Sequence, residues 1–72
     1  MSRVAAIGDG TALAGYALVG VDVRTAVQPD QVHRAWELIE PDVALVLLTA
    51  DACRALGPAL EGTRVLWAVL PE

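Results

Sequence analysis

The chain has 72 residues, of which 56% are apolar and 19% charged, and this composition excludes a disordered polar tail. Its length predicts a single domain spanning residues 1–72. The net charge is −4, and the five basic residues are scattered arginines. Binding to nucleic acid needs a basic face that neutralises phosphates, so we expect no nucleic-acid partner.

The chain has one cysteine, Cys53, which excludes an internal disulfide and favours a reducing compartment. Cys53 itself is expected to be a small core residue. No apolar run approaches the roughly 20 residues of a membrane-spanning helix, and the beginning of the chain does not resemble a signal peptide. We therefore expect a cytoplasmic protein, or the soluble part of an assembly, without direct membrane insertion.

The chain begins with an apolar run over residues 4–7 that ends at Gly8, which predicts a buried strand. A first helix is expected over residues 12–19, with Thr11 as its cap and Gly20 as its C′ residue. No face of this helix carries a charge. A small domain cannot bury a peripheral helix on every side, so its outward residues are expected to bind a partner.

Residues 21–26 alternate between apolar and polar side chains, with Asp22 and Arg24 on one wet face, which predicts an edge strand. The second helix is predicted over residues 29–40, because Pro29 suits a first turn and Pro41 prevents continuation.

The second helix is predicted to be amphipathic, with Trp36 in the core. Its apolar stripe consists of Val32, Ala35, Trp36 and Ile39. Its solvent side is expected to carry His33, Arg34, Glu37 and Glu40. We expect His33 to form a solvated pair with Glu37 rather than to bind a metal.

Residues 43–48 contain no polar side-chain atom and predict a central strand that is buried on both faces. Thr49 is expected to cap a third helix over residues 50–56, which Gly57-Pro58 interrupts. The apolar run over residues 64–70 predicts a fourth strand, also buried on both faces, with Trp67 in the core.

Strands that alternate with helices predict a parallel sheet, and right-handed crossovers place helices on both of its faces. The expected fold is a small Rossmann- or flavodoxin-like α/β domain of three layers, with a four-stranded parallel sheet in the order 2-1-3-4. This order places a switch point between strands 1 and 3, where ligands usually bind.

A crevice at that switch point is predicted to contain Gly8, Asp9, Gly10, Thr11 and Thr49. Gly8-Asp9-Gly10 begins like the dinucleotide fingerprint, but Leu13 replaces its third glycine, and the chain has no lysine. We therefore interpret Gly8, Asp9 and Thr11 as turn residues and expect no cofactor. Asp9 and Asp51 could both approach the crevice, yet carboxylates at helix starts are common for dipole reasons, so no catalytic residue or metal ligand is predicted.

Three segments resemble the F subunit of the V-type (vacuolar, archaeal or bacterial) rotary ATPases. The most specific segment comprises Ile7-Gly8-Asp9, Thr11 and Gly15-Tyr16-Ala17-Leu18-Val19-Gly20-Val21. Leu47-Leu48-Thr49-Ala50-Asp51 is similar to the third strand and following helix of that family. The run from Val65 to Glu72 is similar to the fourth strand and its terminal motif.

This resemblance implies a non-catalytic component of the central stalk that docks on the coiled-coil D subunit of the rotor and modulates ATP hydrolysis. It also implies a location at the cytoplasmic periphery of a membrane-bound ATPase. The family's Gly-Asp motif shapes a turn and binds no phosphate. The candidate interface on the first helix comprises Ala14, Tyr16, Ala17 and Leu18. Isolated copies are expected to self-associate through this helix or through the edges of strands 2 and 4.

Two departures from the family pattern matter. Ala17 stands where the family often has an arginine, so one polar contact is absent. Family members continue after their fourth strand into a C-terminal helix that is implicated in contacting the catalytic head, whereas this sequence ends at Glu72. The resemblance therefore implies the docking role and leaves the regulatory role open. The alternative hypothesis is a stand-alone domain that binds a nucleotide or phosphate.

Overall fold

The computed structural model describes residues 3–63 and 65–71, whose four strands form one parallel sheet in the order β2-β1-β3-β4. This confirms the predicted fold class and strand order. The elements are β1 (Arg3–Gly8), α1 (Gly10–Ala17), β2 (Asp22–Thr25), α2 (Pro29–Glu37), β3 (Val43–Leu48), α3 (Ala50–Leu56), a 3-10 turn (Gly57–Leu60) and β4 (Leu66–Val69). Arg64 and Glu72, which the sequence analysis assigned to the last strand and terminal motif, lie outside the described residues.

The main core lies between the sheet and the helices α2 and α3, which pack against each other on one face of it, called here the α2/α3 face. The apolar stripe of α2 takes part as predicted, with Val32 buried and Trp36 partly buried against the core. The strands and α3 contribute further buried residues, including Ala5, Ile7, Val46, Leu48, Ala52 and Leu56.

The opposite face, called the α1 face, is only half covered. Helix α1 packs on β2 and β1, where Ala6 and Leu13 are fully buried. Alternation along β3 directs Leu45 and Leu47 to this face, and both remain partly exposed. The prediction that β3 is buried on both faces is therefore wrong for this face. The reason is that no helix of the described ranges covers β3 and β4 here.

The fourth strand is exposed, which contradicts the prediction that it is buried on both faces. All four residues of β4 are exposed, and Trp67 retains 38% of its accessible surface instead of entering the core. The cause is topological, because β4 is the outermost strand and pairs with β3 on one side only. β3 and β4 are both uninterrupted apolar runs, so the pattern from which burial was predicted does not distinguish them.

The ends of α1 differ from their predicted positions. Asp9, rather than Thr11, is the N-cap, so the helix begins at Gly10. It ends at Ala17 with Leu18 as C-cap, which leaves Gly20 two residues beyond the cap, where its φ is +93°. The positive φ accounts for glycine at this turn.

The polar side of α2 also differs from the prediction. His33 faces α3, and its Nε2 lies 2.9 Å from the carbonyl oxygen of Ala55, so it is not part of a solvated pair with Glu37. The helix ends at Glu37 rather than at residue 40, and this leaves Glu40 in a loop. From the loop, Glu40 reaches the two arginines described next.

An ion-pair cluster joins β1, β2 and the loop before β3 at one end of the sheet. Arg3 contacts Glu40 at 2.5 Å, Asp42 at 2.7 Å and Asp22 at 3.2 Å. Arg24 contacts Glu40 at 2.6 Å and Asp22 at 2.9 Å. Hydrogen bonds from Arg24 and then Arg3 lower the pKa of Glu40, and hydrogen bonding from Arg3 lowers the pKa of Asp42.

The uneven covering of the sheet predicts different costs for a charge on its two faces. Val46 is fully buried, so Val46→Asp should lower the free energy of unfolding by more than about 3 kcal/mol. Leu45→Asp should cost clearly less, because this side chain keeps access to water. Urea unfolding of both variants measures the difference. Equal losses would contradict a half-open α1 face.

The ion-pair cluster predicts a loss of stability in acid. The folded-state pKa of Glu40 lies below its unfolded value, so its stabilisation is complete above the unfolded value, about pH 4, and is lost as the pH falls through the folded one. Urea unfolding from neutral pH to acid should therefore show a shallower decline for Glu40→Gln than for the parent. The matched control is Glu61→Gln, which changes an exposed carboxylate outside the cluster. Identical pH profiles for the parent and Glu40→Gln would contradict the prediction.

Candidate functional site

A cavity of about 280 Å³ lies at the carboxyl ends of β1 and β3, where the crevice was predicted. Asp9 and Thr49 line it as expected, whereas Gly8, Gly10 and Thr11 do not belong to its lining. It lies between the beginnings of α1 and α3, and Leu70 and Pro71 close it beside the end of β4. Its polar lining consists of Asp9, Tyr16, Thr49 and Asp51 together with backbone groups. The structure therefore brings together the two carboxylates that the sequence placed at this edge.

Asp9 occupies the beginning of α1 with its own carboxylate. Its Oδ1 accepts a hydrogen bond of 2.9 Å from the backbone N–H of Thr11, and its carbonyl oxygen accepts one of 3.1 Å from Leu13. An N-terminal helix turn binds anions through such free N–H groups. Here a protein carboxylate already takes that position, so the geometry is that of a helix cap.

Close packing explains the two glycines of Gly8-Asp9-Gly10. A Cβ atom on Gly8 would overlap the side chain of Thr49, which follows the neighbouring strand β3. A Cβ atom on Gly10 would lie 3.0 Å from Oγ1 of Thr25, at the end of β2. The missing side chain of Gly8 thus leaves room for Thr49 at the end of β1, and that of Gly10 leaves room for Thr25 beside the first turn of α1.

The charges around the crevice do not favour an anionic ligand. Asp9 and Asp51 line it, and Asp51 is paired with Arg54 one turn along α3. The lining found among residues 3–63 and 65–71 includes no arginine. In the same ranges, no group of three or more metal-ligating side chains comes together. Cys53 lies away from this lining and packs, partly buried, against the main core.

Helix α1 and the turn that follows it present an uncharged outward surface, called here the α1 surface. It comprises Ala14, Ala17, Leu18 and Val19, with Leu18 88% and Val19 77% exposed. Leu13 alone among the helix residues is fully buried. Tyr16 is half-buried and lines the crevice, so it does not offer the outward aromatic anchor that the sequence suggested.

The open half of the α1 face provides a second apolar surface. It consists of Leu45 and Leu47 on β3 and Leu66 and Ala68 on β4. Sequence reasoning missed this surface because it treated both apolar strands as enclosed. Counting helices would have found it, since three helices cannot cover both faces of four strands.

No helix within the described ranges is long and apolar enough to cross a membrane.

Comparisons with known proteins yield a likeness at the level of structure. No protein-family model matches the chain, and no curated protein matches it. The chain does match a solved structure, that of the V-type ATP synthase F subunit of Archaeoglobus fulgidus. The TM-score is 0.63, and the match covers 97% of this chain and 98% of that one. This chain has the fold of that protein. Sequence identity over the match is 21%, so the likeness establishes the fold.

The shared fold agrees with the resemblance that the sequence motifs indicated. The match extends over nearly the whole of both chains, which includes all four strands and the helices between them. The segments Gly8-Asp9 and Thr11 lie in the entry turn and first turn of α1, and Gly20 lies in its exit turn. The motif residues thus shape the two ends of one helix.

The capping role of Asp9 can be tested directly. Asp9→Asn keeps a side-chain acceptor and should leave the free energy of unfolding nearly unchanged, whereas Asp9→Ala should lower it by about 1 kcal/mol. Titration of the parent with Mg²⁺ should give no saturable binding. Micromolar Mg²⁺ affinity that Asp9→Asn abolishes would contradict the assignment of Asp9 as a cap.

Proposed function

We propose that this protein is a non-catalytic component of a V-type rotary ATPase and that it docks on the coiled-coil D subunit of the rotor. The fold it shares with the Archaeoglobus fulgidus F subunit supports the first part. The observation that supports docking is the α1 surface, because exposed leucine and valine beside small side chains are costly to leave in water.

In this role the protein belongs to the central stalk, at the cytoplasmic periphery of the membrane complex. It contributes to proton or ion transport by coupling rotation to ATP hydrolysis or synthesis in the catalytic head, without holding a nucleotide itself. The crevice supports the absence of a nucleotide, since its carboxylates would repel phosphates and its helix start is already capped. Catalysis therefore resides in other subunits.

The docking surface in this proposal comprises Ala14, Ala17 and Leu18, with Tyr16 at its inner border. Small side chains let the backbone of α1 approach a partner helix closely, and Leu18 supplies the large apolar contact. A helical partner such as a coiled coil is suited to this surface, because the small side chains of α1 allow two helix backbones to approach closely.

Glutamate substitutions on α1 test the docking proposal. Ala14→Glu and Ala17→Glu both place a carboxylate on the exposed surface, and each should abolish or strongly reduce co-purification with the D subunit. Ala59→Glu is the matched control, because Ala59 is exposed on the 3-10 turn after α3. Circular dichroism verifies that all three variants fold.

Retention of the rotor partner by both folded α1 variants would contradict docking through α1. A thermal-shift screen of the isolated protein tests the non-catalytic part of the proposal. ATP, NAD and acyl phosphates should leave the Tm unchanged, since a ligand that binds the folded state raises it. A clear rise in Tm with ATP would contradict the proposal and favour a nucleotide-binding domain.

A further inference from the structure

The outer edge of β4 presents backbone N–H and C=O groups that no strand of the described residues pairs. The N–H of Leu70 donates a 2.8 Å hydrogen bond to the carbonyl oxygen of Leu48 on β3. Because successive residues of a strand turn their backbone groups to opposite sides, Leu66 and Ala68 also face β3. Trp67 and Val69 therefore direct their N–H and C=O groups outward, away from the sheet.

The two edges of the sheet differ in how they are protected against pairing. Edge strands usually avoid joining other strands by carrying charges, prolines or bulges. β2 carries Asp22 and Arg24, which belong to the ion-pair cluster. β4 contains only Leu66, Trp67, Ala68 and Val69, and it carries no charge, proline or bulge. The exposed edge of β4 therefore lacks the usual protection against pairing, as the strands of an interface do.

The sequence around β4 is close to a palindrome, which makes the edge complementary to itself. In an antiparallel pair centred on Ala68, Leu66 lies opposite Leu70, and Trp67 lies opposite Val69. The outward-facing residues Trp67 and Val69 are then hydrogen-bonded partners, as an antiparallel ladder requires. Every cross-strand pair is apolar, and an aromatic side chain opposite a β-branched one is a favourable pair.

We infer that two copies of this chain associate through antiparallel pairing of their β4 strands about a two-fold axis at Ala68, which joins their sheets into one continuous sheet. The pairing satisfies the outward backbone groups of Trp67 and Val69 in both copies. It also removes from water part of the apolar surface of Leu66, Trp67 and Val69, which are 72%, 38% and 43% exposed. This inference depends on β4 alone and is independent of the proposed function.

A second copy fits this edge better than a strand of unrelated sequence. A two-fold axis gives both copies the same contacts, so one favourable arrangement of side chains is used twice. The register is fixed by two conditions, the outward direction of alternate backbone groups and the matching of large with smaller apolar side chains. Centring on Ala68 satisfies both conditions.

Sedimentation velocity of the full chain over a wide concentration range tests the inference. The parent should show a reversible monomer–dimer equilibrium, and Val69→Pro should sediment as a monomer throughout. Proline at this position removes an N–H that points outward and keeps the hydrogen bonds between β3 and β4, and edge strands tolerate such a proline. Val69→Thr is the control, since it keeps the N–H and a β-branched side chain, and it should still dimerise.

A disulfide provides a second measurement that does not depend on proline being tolerated. Ala68 lies on the axis in a non-hydrogen-bonded pair, where the Cα atoms of two strands are about 4.5 Å apart. That distance permits a disulfide. In a Cys53→Ala background, Ala68→Cys should therefore form a covalent dimer on mild oxidation. Ala14→Cys, exposed on α1, is the control and should remain largely monomeric.

Either of two results would overturn the inference. One is a parent chain that sediments as a monomer at every concentration, together with no faster crosslinking of Ala68→Cys than of Ala14→Cys. The other is a dimer that persists in folded Val69→Pro, which would place the contact elsewhere. In the second case, dissociation by Ala14→Glu or Ala17→Glu would assign the dimer to the α1 surface.

Discussion

Enclosure of β1 is the constraint on which the rest of the structure depends. Ala5, Ala6 and Ile7 have no accessible surface, because β1 lies between β2 and β3 and beneath helices on both faces. The two alanines keep the strand thin, so that α1 can approach one face while α2 and α3 pack on the other. The other strands and the helices take their positions by packing against β1, against the strands beside it or against the helices that cover it.

The three helices of the described residues bury residues 5–8 of β1, but they do not cover all four strands. Two helices cover the α2/α3 face and one covers part of the α1 face, so enclosure decreases from β1 through β3 to β4. The exposed apolar surfaces of the domain follow from this gradient. The α1 surface, the open half of the α1 face and the edge of β4 are all places where the covering ends.

Sequence patterns predicted the elements and their order well, since alternating strands and helices leave few possible topologies. They failed on the degree of burial. The runs that became β3 and β4 are equally apolar, and only their positions in the sheet distinguish a half-enclosed strand from an exposed edge. The turn at Gly8-Asp9-Gly10 and its proximity to Thr49 were predicted, but the tight packing of the Thr49 side chain against the backbone of Gly8 was not, because it depends on side-chain geometry.

The position of β1 also determines when the domain can form. Strand β1 is synthesised before the other three strands of the sheet but takes an inner position in it, and its Arg3 pairs with Asp42, 39 residues later. β1 can find its second neighbour only after β3 has been synthesised, so a folded intermediate built from the first half alone would leave one side of it unpaired. Closing a loop of this length costs conformational entropy before the contacts between its ends can form, and this slows folding. Until β3 is available, one edge of the apolar strand β1 stays unpaired in the nascent chain, and an unpaired apolar edge favours aggregation.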